Sequence, residues 1–116
     1  MGIIEIENME FFAYHGCFKE EQIVGNHFTV SLRLVGNLSK AAATDNISDA
    51  INYQTAYNIV KAEVEKPSHL LENVCQRILD SLFINMQNID KATVKVSKMN
   101  PPLGGKIQKV SVTLSK

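Results

Sequence analysis

The chain has 116 residues, 45% of them apolar, and its twelve basic and twelve acidic side chains cancel to a net charge of zero. That length suits one domain with one core over residues 1–116. The balance gives no basic footprint for nucleic acid and no polybasic stretch for a membrane surface. No apolar run approaches the roughly 20 residues of a membrane span, and Met1 to Glu5 meets an acid too early for a signal peptide. Gly2 as a myristoylation site is set aside, because Ile6 stands where Ser or Thr is wanted. A soluble cytoplasmic domain is expected, with Cys17 and Cys75 as free thiols.

Ile4 and Ile6 alternate with Glu5 and Glu7, and then Met9, Phe11 and Ala13 alternate on the opposite parity. A strand that switches parity midway contains a bulge, here near Glu7–Asn8. Phe28, Val30, Leu32 and Leu34 mark a second strand, and the connection from Tyr14 to Asn26 is too long for a tight hairpin. Asn52 is an N-cap for a helix carrying Tyr53, Ala56, Tyr57, Val60 and Val64, which Pro67 terminates. Ser68 is expected to cap a second helix with the stripe Leu71, Val74, Cys75, Ile78, Leu82 and Met86. Two strands follow, one on Ala92, Val94 and Val96 and one on Val110, Val112 and Leu114, joined by the loop Asn100-Pro101-Pro102-Leu103-Gly104-Gly105. The order β-β-α-α-β-β, with one apolar face per strand, predicts an α+β fold: a four-stranded antiparallel sheet covered on one face by both helices. Such a sheet leaves two edges bare, so an oligomer is expected.

Lys98 continues the inward parity of Val94 and Val96 at a strand end. Partly desolvated there, a lysine suits general acid/base work, although a snorkelling strand-end lysine is the structural alternative. Glu72 in the first turn of a helix either complements the helix dipole or offers a carboxylate to two parallel donors of a flat heterocycle. Glu20 and Glu21 read as solvated loop charges, and Tyr53 as a packing residue. His15, His27 and His69 lack metal-ligand spacing, and Gly104-Gly105-Lys106 lacks a phosphate-loop frame.

Taken in order, Phe12-Ala13-Tyr14-His15-Gly16, Glu21 with Gly25, Thr44-Asp45-Asn46, Asp49-Ala50-Ile51-Asn52-Tyr53, Leu70-Leu71-Glu72 and Lys98-Met99-Asn100-Pro101-Pro102 resemble the dihydroneopterin aldolase family over essentially the whole chain. The resemblance implies a tunnelling fold (T-fold) whose subunits join into a barrel, commonly an octamer of two four-membered rings with active sites at subunit interfaces. It implies cofactor-independent cleavage of 7,8-dihydroneopterin in folate biosynthesis, with a 2′-epimerase side activity, no metal and no cofactor. Lys98, Tyr53 and Glu21 are the implied catalytic residues, with Glu21 holding Lys98 in place and ordering the substrate's side-chain hydroxyls. Glu72 and the backbone of Leu71 would hold the pterin. Tyr53 would come from a neighbouring subunit, with Cys17, Phe18, Ala50 and Ile51 shaping the pocket. Cys17 stands where a small residue such as Ala is common, and His69 where Asn is common.

Three rivals accompany this expectation. One is an epimerase acting on dihydroneopterin or its triphosphate, with Lys19 and Lys106 as candidate phosphate contacts. Another is a zinc-dependent pterin enzyme using His15 and His27. The third is an idle oligomeric binding module in which Lys98 and Glu72 are structural.

Overall fold

The alternating N-terminal segments form a long antiparallel hairpin in the computed structural model, which describes residues 1–116. Strand β1 spans Gly2–Ala13 and β2 spans Asn26–Gly36. Their register shifts between Ile6, opposite Leu32, and Met9, opposite Val30. Glu7 and Asn8 therefore face the single residue Ser31, the bulge that the parity switch requires. Asn8 takes a left-handed φ of 56°, and its N–H donates to the Ser31 hydroxyl at 3.0 Å. Asn tolerates that conformation better than β-branched residues.

Between the strands, Lys19–Val24 forms a short helix, α1, closed by Gly25 at φ 77°. A second short helix, α2 (Ser39–Thr44), and a 3₁₀ turn at Ile47–Asp49 follow β2. None of these three was predicted, since six residues or fewer are too few to show a helical period. Helix α3 (Tyr53–Val64) starts as expected: the Asn52 side chain accepts from the N–H groups of Gln54 and Thr55. Helix α4 spans Leu71–Asn85, β3 Lys91–Met99 and β4 Lys109–Ser115. The sheet order is β1-β2-β3-β4, every pair antiparallel. The helices cover one face, α3 against β1 and α4 against β3 and β4. Phe28, Val30, Leu32, Leu34, Val94 and Val96 meet Ala56, Val60, Val74, Ile78 and Leu82 in a single core. The predicted antiparallel α+β sheet is therefore present, with β1 and β4 as bare edges.

One expectation fails. Ser68 does not cap α4; Leu70 occupies the N-cap position in an extended conformation, without a side-chain cap. The Ser68 hydroxyl instead donates to Asn73 Oδ1 and accepts from Arg77 Nη2, both at 2.7 Å. Arg77 explains the diversion. Nε donates to Asn73, Nη1 to the Glu63 carbonyl and to Glu63 Oε1 at 3.0 Å, and Nη2 to the Lys66 carbonyl and Ser68 Oγ. All five guanidinium hydrogens thus have partners in and around the α3–α4 turn.

Glu63 is nearly buried, so removing the arginine strands a carboxylate whose only other cationic contact is the exposed Lys66. Arg77→Met is expected to cost about 3–5 kcal/mol in urea unfolding, with partial recovery when Glu63→Gln is added. A loss below about 1 kcal/mol, the level of an exposed ion pair, would show that the network carries no weight.

Candidate active site

The turn that Arg77 fixes also receives the N-terminal loop. Gly16 N–H donates to the Ser68 carbonyl at 2.9 Å, and Ser68 N–H donates to His15 Nδ1 at 3.0 Å. His15 is 1% exposed and its ring meets Phe28 edge-on at 5.1 Å. Burial, then the nearby Arg77 charge, lowers its pKa to about 4, with Lys98 adding to the effect and the Val64 carbonyl opposing it. Near neutral pH the ring is uncharged, and because Nδ1 accepts, its hydrogen sits on Nε2.

This docking swings α1 over the end of β3. Phe28 pairs with Lys98 across β2 and β3, which aims Lys98 at the helix-covered side. Its Nζ lies 2.6 Å from Glu21 Oε2, with both side chains largely buried. Glu21 Oε1 reaches back to the Phe18 N–H at 3.4 Å, so the carboxylate is held on two sides. Gly16 leaves room for it: a Cβ there would sit 2.5 Å from the Glu21 carboxyl carbon. Asn26 Nδ2 donates to the Met99 carbonyl at 2.8 Å and pins the strand end that carries Lys98.

These groups border a cavity of about 250 Å³. Cys17, Phe18 and Glu21 form one wall, His69 to Glu72 a second, and Pro101 to Leu103 with Val110 and Val112 a third, while Lys98 stands among them. The first N–H groups of α4, those of Leu71 and Glu72, precede the helical ladder and have no side-chain cap. An acceptor carboxylate beside free backbone donors suits a flat heterocycle with adjacent donor and acceptor edges.

Of the expected site residues, Lys98, Glu21, Glu72, Leu71, Cys17 and Phe18 come together. Tyr53 and Ile51 do not join them within one chain. Ile51 is buried in its own core, with its Cδ1 against Gly36. Gly36 lies eight residues along β2 from Phe28, the cross-strand partner of Lys98, or about 27 Å at strand rise. Tyr53 stands exposed at that far end. The residues alone gave no sign of the contact between Glu21 and Lys98, which are 77 positions apart, but the family resemblance implied it and the structure has it. Nor did the sequence single out Gln22, whose amide nitrogen contacts His69 Nδ1 at 2.9 Å. Lys19 and Lys106 are absent from the pocket wall. No group of three His, Cys, Asp or Glu side chains comes close enough to hold a metal, so the donor set of the zinc reading is not assembled. Both cysteines are free; burial raises the Cys75 thiol to about 11, whereas Cys17 is exposed at the pocket.

A lysine–carboxylate pair and an unpaired carboxylate around a small cavity define a small-molecule site arranged for proton transfer. The family model described as FolB, dihydroneopterin aldolase, matches residues 4–115. The dihydroneopterin aldolase of Bacillus subtilis is 37% identical over 117 aligned residues, covering all of this chain and 98% of that protein. That of Streptococcus pyogenes is 33% identical with the same coverage. Among solved structures, Escherichia coli dihydroneopterin aldolase in complex with neopterin superposes with a TM-score of 0.92 at 21% identity, covering 100% of this chain and 99% of the other. A Burkholderia dihydroneopterin aldolase bound to guanine gives 0.80 at 17% identity, covering 99% and 89%. The chain belongs to the dihydroneopterin aldolase family.

The His15 latch makes stability pH-dependent. Above its unfolded pKa of about 6.5 the residue is neutral in both states and contributes no pH dependence. As pH falls from about 6.5 toward 4, the unfolded chain takes up a proton that the folded chain refuses, and stability drops. The loss should reach about 3 kcal/mol at most and be absent from the curve of His15→Gln, measured by urea unfolding at successive pH values. Parallel curves for the two proteins would contradict this assignment.

Proposed function

We propose that the chain cleaves 7,8-dihydroneopterin by a retro-aldol reaction, giving 6-hydroxymethyl-7,8-dihydropterin and glycolaldehyde, a step of folate biosynthesis. The observation that carries this reading is the largely buried Lys98–Glu21 pair at 2.6 Å on a cavity whose opposite wall holds Glu72 and the free N–H groups of α4. Glu72 accepts from the 2-amino group and the adjacent ring N–H, and the Leu71 backbone assists. Lys98, acting through a bound water, takes the proton from the 2′-hydroxyl. The Glu21 carboxylate accepts a hydrogen bond from the amine in either protonation state, so its aim is retained. The hydroxyl electrons form the aldehyde C=O, the C1′–C2′ bond breaks, and its electron pair enters the ring C=N bond. Glycolaldehyde leaves. Protonation of the resulting enamine at the exocyclic carbon, with Tyr53 assisting, yields the product. The substrate itself is the electron sink, the part that an imine or a metal ion plays elsewhere. Re-forming the bond on the opposite face of the aldehyde would invert C2′, which is the proposed epimerase side activity.

The site is completed between subunits. The cavity, about 250 Å³, falls short of the range for ligand sites, about 300–1,000 Å³, and Tyr53 sits at the far end of its own chain. The bare β1 and β4 edges and the uncovered polar sheet face favour closure into a barrel of chains, with an octamer of two rings as the proposed assembly. Tyr53 and Ala50 then enter a neighbour's pocket; Ile51, anchored by its side chain, contributes through its backbone. No helix is long and apolar enough to cross a membrane, and a cytoplasmic setting accompanies this proposal.

Incubation with 7,8-dihydroneopterin and chromatography of the products tests the activity. Lys98→Ala should lower kcat by about 10²–10⁴-fold with the fold intact. Tyr53→Phe should also be impaired. Co-refolding the two variants should restore turnover that neither parent shows, because some interfaces then pair an intact Lys98 with an intact Tyr53. Failure of wild-type protein to form either product sinks the aldolase reading, and failure of the mixture alone sinks the shared site.

A further inference from the structure

Beside the pocket, the Gln22 side chain reaches from α1 to two acceptors. Its amide nitrogen lies 2.9 Å from the Gly16 carbonyl oxygen and 2.9 Å from His69 Nδ1. A carboxamide nitrogen has two hydrogens to donate and does not accept. The Gly16 carbonyl can only accept, so it decides which end of the amide is nitrogen. The second N–H then points at Nδ1, which must accept as well. A neutral imidazole with an accepting Nδ1 carries its hydrogen on Nε2. One backbone carbonyl thereby fixes, through Gln22, the tautomer of His69. The hydrogen-bond network dictates this assignment.

The orientation is equally constrained. His69 borders both the active-site cavity and a small cleft shared with Gln22, Pro67 and Ser68. Gln22 borders the cleft and not the cavity wall, so Nδ1, which meets it, is turned to the cleft, and His69 borders the cavity as well. The Cys17 thiol donates to the His69 carbonyl at 3.4 Å and steadies its backbone. The cavity already holds carboxylate acceptors at Glu21 and Glu72 and a charged donor at Lys98. A neutral side-chain donor on its wall is what His69 adds.

We propose that His69 contacts the substrate and helps set specificity, presenting a neutral Nε2–H to an oxygen acceptor of the bound pterin, and that Gln22 is the positioning residue that maintains this form. The identity of the ligand rests on the proposed function; the tautomer and its cause do not. The acceptor is an oxygen of the ring system or a hydroxyl of the C6 side chain.

The test combines tautomer and binding measurements that require no turnover. Long-range ¹H–¹⁵N correlation of histidine-labelled protein identifies the protonated nitrogen of His69. Neopterin and 6-methylpterin, which lacks the hydroxylated chain, are titrated by fluorescence against wild type, His69→Phe, His69→Asn and Gln22→Leu. Wild type should show only the Nε2–H form, and Gln22→Leu a mixture of tautomers with intermediate affinity. His69→Phe should weaken neopterin binding about 5–10-fold, and His69→Asn, which still donates, should restore it to within about twofold. Weakening of both ligands assigns the contact to the ring; weakening of neopterin alone assigns it to the side chain. An Nδ1–H tautomer in wild type, or unchanged affinity in His69→Phe, overturns the proposal. Binding and tautomer as expected without wild-type turnover would overturn the aldolase reading and leave this one standing.

Discussion

The partly buried guanidinium of Arg77 is the contact on which the rest of the site's geometry depends. Its five hydrogens are distributed over the end of α3, the Lys66 carbonyl, Ser68 and the first turn of α4. That distribution fixes where the Ser68 backbone lies. Ser68 then supplies one donor and one acceptor to His15 and Gly16, which brings the N-terminal loop onto the helices. The same capture of the Ser68 hydroxyl leaves α4 without a side-chain cap, so its first N–H groups remain free at the cavity. A helix N-terminus normally satisfied by Ser or Thr is left open for a ligand.

Stability and function pull against each other at the Lys98–Glu21 pair. Taking two charges largely out of water costs several kcal/mol per ion, and a well-packed apolar pair would often hold the fold as well. The surroundings are arranged to tolerate the pair. Phe28 lies beneath Lys98, with Nζ 6.0 Å from the ring centroid, and presents its other contacts to His15. Keeping His15 neutral avoids a third positive charge beside Lys98 and Arg77, the two cations that already depress its pKa. The neutral latch and the charged pair are one electrostatic solution: two cations are placed, each with its own carboxylate, and the histidine between them stays uncharged.

The sheet was legible in the sequence because it has one covered and one open face. Strict alternation on β2 and β3, and even the Glu7–Asn8 bulge, follow from a period of two with a single parity break. The stripes of α3 and α4 were legible for the same reason at a period of 3.6. What escaped depended on tertiary competition or on length. Ser68 has the chemistry of an N-cap, yet an arginine nine residues on claimed its hydroxyl. Helix α1 is too short for a period, although Gly25 was its one local signal. In the site, strand parity alone aimed Lys98 inward. Nothing local in Glu21 separated it from Glu20, because its partner lies far along the chain on β3, and only the family resemblance singled it out. Gln22 escaped even that, since its importance rests on a contact with His69 across 47 positions.

Tyr53 poses a different problem, because no refinement of the fold could bring it to Lys98. Both stand on elements locked into the same sheet and core, at opposite ends of a molecule whose longest dimension is 52 Å. On the proposed shared site, the chain carries complementary half-sites at its two ends and completes a site only by meeting another copy head to tail. Such heterologous contact completes one site for every junction, and an open chain of n subunits always leaves one site unfinished at each end. A closed ring leaves none. Closure also pairs the edges that β1 and β4 would otherwise expose, so the arrangement that hides the edges is the one that completes every site. On the proposed assembly, oligomerisation and catalysis are therefore one equilibrium, and dilution that opens the ring removes activity before it unfolds a subunit.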